Sequence, residues 1–250
     1  LQVLAWAREG VALIQADDHI GPLHADELEA LWPRRVPVTA EMLALAREAW
    51  DAFRAPDPTA LARLLERDTD ALPHLEAAVR RLLEELPDAG TGLSRTERQL
   101  LEPLADGPRR PGELFVESQA REDAAFAGDT WVWKRLADLQ PLVGELPPPP
   151  PLGDVHAFLG TRVALTPLGR DVLAGKADRV EAAPVERWVG GTRLDGDRDW
   201  RWDGAAVAPG DGGARCRLGG SCSRPSPPLS ARHGPRSTPT GRRSPCSSSR

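Results

Sequence analysis

Between Thr39 and Thr166 the chain carries a series of helix starts, each a short polar residue or a proline ahead of an apolar stretch, and they divide it into short helices. Thr39 precedes "AEMLALAREAWDAFRA", where Leu43, Ala46, Trp50 and Phe53 recur at helical spacing and form one stripe. Asp57 precedes "PTALARLLERD", with Pro58 suited to the first helical position. Asp70 is expected to cap "ALPHLEAAVRRLLEEL", where Leu72, Leu75, Val79, Leu82 and Leu86 keep the helical period. With a shorter helix near Asp26–Trp32, these segments predict a helical bundle over 21–91, and "PDAGTG" at 87–92 reads as a linker. His74, at a helix start, reads as structural or exposed.

From Ser94 the pattern changes. "SRTE" is a capping box of Ser94 with Glu97, opening a helix through Leu104 that Gly107 ends. Pro111 starts "PGELFVESQARE", and Asp129 or Thr130 caps a third helix. "LVGEL", the Pro147–Pro151 run, a strand "TRVALT" and a short helix "PLGRDVLAG" capped by Thr166 follow. Three helices followed by strands that form a wing is the order of a winged helix. The closing stretch "ERWVGGTRLDGDRDWRWDG" predicts a β-hairpin turning in "DGDRD", with Trp200 and Trp202 on one face. A tryptophan pair of this kind could stack bases, but Asp195, Asp197, Asp199 and Asp203 favour packing. The expected fold class is mainly α: a helical bundle, then a winged-helix-like α+β domain over 92–208.

The start differs again. "LQVLAWARE" has a helical pattern without a preceding cap, Gly10 suits its C-terminal end, and "VALIQ" predicts a short strand apolar on both faces. A helix followed by such a strand predicts that 1–20 is the remnant of an N-terminal α/β domain whose other strands lie outside this chain, leaving Val11–Ile14 without a partner strand. Asp17, Asp18, His19 and His24 could suggest a metal site, but nothing at helical spacing supplies the second shell that fixes such a site, so they read as a polar strand-end loop. No metal and no cofactor is expected.

Charge separates the body from the tail. Residues 1–208 hold 24 basic and 36 acidic side chains, whereas 209–250 hold 8 and 1. The tail has 9 Ser, 7 Pro and 7 Gly and only Leu218 and Leu229 as large aliphatics, too little to offset its ordering entropy, so it is expected to be disordered. The body uses 22 Arg beside Lys134 and Lys176 alone, which suggests a GC-rich gene; out-of-frame reading of such a gene yields the tail's composition. The alternative is a basic arm for nucleic acid or an acidic membrane. Cys216, Cys222 and Cys246 all lie in this tail at spacings that fit no zinc pattern, and the cysteine-free body reads as cytoplasmic. No apolar run is long enough to span a bilayer.

The third helix, "GDTWVWKRLADLQPLV", is the one a winged helix can place in a major groove. Setting Val132, Leu136, Leu139 and Val143 on the core stripe leaves Trp133 at its border, suited to core filling, and turns Trp131, Lys134, Arg135 and Asp138 outward. Trp131 and Arg135, one turn apart, suit a cation–π pair. Trp131, Lys134 and Arg135, with Arg109 and Arg110, are the candidate contacts for a protein or a nucleic acid. The nucleic-acid reading is the weaker one, because the outer face carries two cations, one countered by Asp138.

"LQVLAW", "LWPRRVPVT", "AWDAFRAPDPTALARLL", "GLSRTERQLLEPL", "GDTWVWKRLADL", "VALTPLGRDVLAG" and "RWVGG…WRWD", in this order over residues 1–208, resemble the C-terminal two-thirds of the uncharacterised bacterial family called domain of unknown function 1835. The resemblance implies a preceding α/β domain rich in Gly, Asp and His, and it carries no activity. The run of five prolines and everything after Ala208 depart from the family pattern.

No Ser-His-Asp, Cys-His, P-loop or GxGxxG arrangement is evident in the body. The expected function is a non-enzymatic interaction or regulatory module, with a protein partner or self-association. The alternative is the accessory part of an enzyme whose active domain lies outside this chain.

Overall fold

The computed structural model describes residues 11–16, 20–195 and 199–210. Within them the chain is mainly helical, with eleven short α-helices, two 3-10 helices and three two-stranded antiparallel sheets. No helix among the described residues is long and apolar enough to cross a membrane. The helix expected over "LQVLAWARE", the Asp17–His19 triplet, residues 196–198 of the expected turn "DGDRD" and the tail from Asp211 lie outside the described residues.

Two apolar cores organise the fold. The first is built by α2 (Ala40–Arg54), α3 (Thr59–Leu64) and α4 (Leu75–Leu83). Thr39 caps α2 as expected, its hydroxyl accepting the Met42 N–H at 3.1 Å. The buried stripe of α2 is Leu45, Ala46, Ala49 and Ala52, rotated from the expected one, and Trp50 is only half-buried. Small residues let α2 approach its neighbours closely, while the Trp50 ring stacks on Phe53 at 5.5 Å. Asp57 accepts the Thr59 N–H at 2.8 Å, but Pro58 is the residue before α3 rather than its first helical position. Asp70 caps nothing: Leu72 and Pro73 sit in a turn, and α4 begins at Leu75 with His74 before it.

The second core gathers α5 (Arg95–Leu101), α6 (Pro111–Gln119), α7 (Asp129–Asp138), α8 (Gln140–Val143), α9 (Val155–Gly160) and α10 (Pro167–Leu173). The Ser94–Glu97 capping box forms, with both reciprocal bonds present. Thr166 caps α10 through the Gly169 N–H at 3.1 Å. Gly128 rather than Asp129 or Thr130 precedes α7. Helix α9, capped by Asp154 through the Ala157 N–H at 2.7 Å, was not foreseen; a cap residue ahead of Phe158 was its signal. "TRVALT" does not form the expected strand. Only Val163 pairs, antiparallel with Arg109 in the connection between the second 3-10 helix (Glu102–Asp106) and α6.

The strands also correct the sequence reading. β1 (Ala12–Leu13) is neither partnerless nor buried on both faces: it pairs antiparallel with β2 (Val36–Pro37), and Ala12 is exposed. The apolar alternation of "VALIQ" is met by one side only, because the ribbon lies at the edge of the first core with Leu13 against it. The closing region holds two hairpins rather than one. β3 (Arg187–Val189) pairs with β4 (Thr192–Leu194) around Gly190 and Gly191, and β5 (Trp200–Trp202) pairs with β6 (Val207–Pro209). Gly190, at φ +58°, turns the first of these hairpins. These strands, expected with the second unit, pack on the first core, to which they add Val189, Leu194 and Trp202.

Candidate functional site

Chain reversal brings charged residues of both units to the seam between the cores. Glu97, in the first turn of α5, caps the helix through its Oε2, which accepts the Ser94 N–H at 2.9 Å. Its Oε1 faces Arg187 Nη1 at 3.0 Å and Arg179 Nε at 3.6 Å. Arg179 starts α11 (Arg179–Ala182), and its Nη2 donates to the Asp138 carbonyl at the end of α7 at 3.0 Å. Arg187 Nη2 donates to the Glu85 carbonyl, just beyond α4, at 2.8 Å. One carboxylate thus engages α5, α11 and β3, and its two arginines satisfy carbonyls from α7 and the end of α4.

A second ion-paired layer abuts the first. Glu85 accepts from Arg81 Nη1 at 2.8 Å and from the Thr96 hydroxyl. Arg81 holds Glu122 through two bonds of 2.7 Å each, the fork geometry that guanidinium and carboxylate favour. Phe126 lies under the Arg81 guanidinium at 4.9 Å and meets Trp131 edge-on at 5.8 Å, while Arg135 stands 4.9 Å over Trp131. Two rings in edge contact, Phe126 and Trp131, thus lie between the guanidinium groups of Arg81 and Arg135 at the rim of the seam.

Burial sets the electrostatics. Removal from water works against the charge on Glu97, but Arg187, Arg179 and the Ser94 N–H outweigh it and hold the carboxyl below its usual range. Glu122 is likewise held low against burial, chiefly by Arg81. Arg135 goes the other way: burial, then the neighbouring Arg187, depresses its pKa, and its Nε has no hydrogen-bond partner among the described residues. Burial also depresses Arg179, against the pull of Glu97.

The turn at 87–92 does more than link. Asp88 Oδ1 accepts the Gly90 and Thr91 N–H groups at 2.6 Å each, and the backbone of 87–89 exchanges two bonds with Trp202. Arg201 donates to the Asp88 carbonyl at 3.2 Å and grips Asp178 with bonds of 2.8 and 3.0 Å. Arg201 and hydrogen bonds to Asp178 hold that carboxyl low against burial, whereas burial raises the pKa of Asp199 despite its 2.6 Å contact with Arg201.

The residues singled out in the sequence divide here. Trp131 and Arg135 form the expected cation–π pair, but Arg135 turns into the seam, 8% exposed, instead of outward. Charges from Arg187, Glu85 and Glu97 act on it there, and those residues belong to β3, the segment after α4 and α5, which a stripe drawn on α7 alone does not reveal. Trp133 is in the core, between Phe115 and Phe158. Lys134 remains exposed and pairs with Asp138. Arg109 sits 3.5 Å from Glu117 and is fixed by its backbone pairing with Val163. Arg110 is exposed at the start of α6, where its own N–H donates to Glu113 at 2.7 Å. His24 is exposed before α1 (Ala25–Ala30), and its N–H donates to Glu27.

Arg81, Glu85, Glu122, Arg179 and Arg187 escaped the sequence reading. For Arg187 a signal was present: it shares strand parity with Val189, so an inward valine implies an inward arginine. Comparison with family models, curated proteins and solved structures finds no match to this chain.

Proposed function

We propose that this chain is a non-enzymatic interaction module that binds protein through the segment 20–38. The observation that carries this reading is the absence of any buried residue across that segment, although it displays Ile20, Leu28, Trp32 and Val36. Trp32 is 61% exposed and Ile20 52% exposed. Apolar side chains gathered on one stretch mark a contact surface, whereas single ones scattered over a protein carry no such meaning.

The second unit has a supporting role in this reading. Its helices α5, α6 and α7 follow winged-helix order, and the Arg109–Val163 pairing, between the connection of the first two helices and the segment after the third, favours a winged-helix-like arrangement. The resemblance to the domain of unknown function 1835 family belongs to the same proposal. Protein is favoured over nucleic acid because Arg135 is drawn inward and Lys134 and Arg109 face carboxylates.

Site-specific photo-cross-linking in cells tests it. A photoreactive side chain at position 32 is expected to capture protein, and one at position 110 is expected to capture no nucleic acid. Nucleic-acid adducts at 110 with no protein adducts at 32 would reverse the assignment.

A further inference from the structure

The inference rests on the contact face of 20–38 and names what covers it. Helix α1 passes into the first 3-10 turn (Trp32–Arg34) through Leu31, whose φ of −78° and ψ of −20° are helical. Leu28 and Trp32, four residues apart, therefore lie on one side. The β1–β2 ribbon extends the apolar surface: Val36 pairs with Leu13, and the Val11 carbonyl accepts the Val38 N–H at 3.1 Å. Leu13 and Val38 rest on the first core, while Val11 and Val36 stay exposed.

Charge is polarised along this stretch. Asp26, Glu27 and Glu29 lie toward one end, around Leu28, and Arg34 and Arg35 toward the other, just beyond Trp32. Arg35 is fixed to Trp32, donating from Nη1 to its carbonyl at 2.9 Å with the guanidinium 4.9 Å from the ring centre. A two-fold contact brings the same patch of both copies together, so its charges must complement themselves. An antiparallel approach sets the acidic end of one stretch against the arginines of the other while Leu28 of each copy meets Trp32 of the other. A partner of one charge sign would satisfy only one end. We propose that this face takes a second copy of this chain, in an antiparallel two-fold contact.

Sedimentation velocity on the full chain, 27.0 kDa as a monomer, over about 1–100 µM tests this. Reversible dimerisation is expected. Trp32→Ser weakens it by about tenfold or more. Arg35→Glu alone and the pair Asp26→Arg/Glu29→Arg alone also weaken it, and all three changes together restore it, with circular dichroism confirming that each variant is folded. A chain that stays monomeric throughout overturns the proposal, as does a dimer indifferent to Trp32→Ser or a charge exchange that fails to rescue. If the purified chain is monomeric while position 32 still cross-links to protein in cells, self-association fails and the interaction reading stands. If position 32 captures nothing either, both fail.

Discussion

Arg187 Nη1 lies 3.0 Å from Glu97 Oε1, and both side chains are shielded from water although the residues stand 90 positions apart. The contact fastens β3, which belongs to the first core, onto α5 of the second. Glu97 also caps its own helix, so helix initiation and the joining of the two units depend on one carboxylate.

Replacing Glu97 with Gln keeps an acceptor near Ser94 but strands Arg187 and Arg179 in a buried setting. The expected loss is about 3–5 kcal/mol, read from the shift in urea midpoint at constant slope. A coupling below about 0.5 kcal/mol between Glu97→Gln and Arg187→Met would show that the pair contributes nothing specific.

Acid should loosen the seam and the 87–92 turn together. Glu97, Glu122, Asp88 and Asp178 all have folded pKa values below their usual ones. Their contribution is complete above the unfolded values of about 4 and is lost as pH falls through the folded values. Asp199, raised by burial, has the opposite sign and offsets part of the loss. Stability measured by urea denaturation from pH 6 downward should stay level until about pH 4–5 and then decline. A decline centred near pH 6.5 would point to histidine instead.

Arg135→Met tests the inward placement of this side chain. Burial and the adjacent Arg187 penalise its charge, and its Nε lacks a hydrogen-bond partner among the described residues. An apolar replacement of similar length is expected to be neutral or to stabilise by about 1–4 kcal/mol. A clear loss in thermal midpoint would mean that the stack on Trp131 outweighs the desolvation of the guanidinium.

Gly191 permits the closest approach of the β3–β4 hairpin to α2. A Cβ there would meet the Arg54 carbonyl oxygen at 2.1 Å, and the Gly191 N–H donates to the Phe53 carbonyl at 2.7 Å. Gly191→Ala should push the hairpin outward, with a cost of about 1–3 kcal/mol and faster hydrogen exchange at residues 187–194. Unchanged exchange there would show that the end of α2 yields instead.

Without its basic tail the protein should not bind duplex DNA in a salt-dependent manner, because the α7 cations are buried or paired. Fluorescence anisotropy on a chain ending at Gly210 is the measurement. Binding by the full chain alone would identify residues 211–250 as a nonspecific polycation. Binding by the shortened chain, weakened by Arg110→Ala, would restore the nucleic-acid reading.

Local signals were legible where their causes are local. Thr39, Asp57, Ser94 with Glu97, Pro111 and Thr166 mark helix starts because a hydroxyl, carboxylate or fixed φ acts on residues within one turn. The core residues Val132, Leu136, Leu139 and Val143 followed from the helical period for the same reason. Asp70 shows the limit: a suitable cap residue is not used when the next residues, Leu72 and Pro73, are held in a turn.

The helix starts at Thr39, Ser94, Pro111 and Thr166, the Val132–Val143 core stripe and the Trp131–Arg135 pairing were thus determined by the sequence alone, since each depends on residues a turn or two apart. The partner of β1, the division of the closing strands into two hairpins, the return of those hairpins to the first core and the inward turn of Arg135 were decided by tertiary structure. Each requires a surface supplied from far along the chain: Val36–Pro37 for β1, the Phe53–Arg54 carbonyls for Gly190 and Gly191, and Glu97 for Arg187 and Arg179. A buried arginine is tolerable only where a carboxylate and carbonyls are already in place, and their convergence is a property of the folded chain.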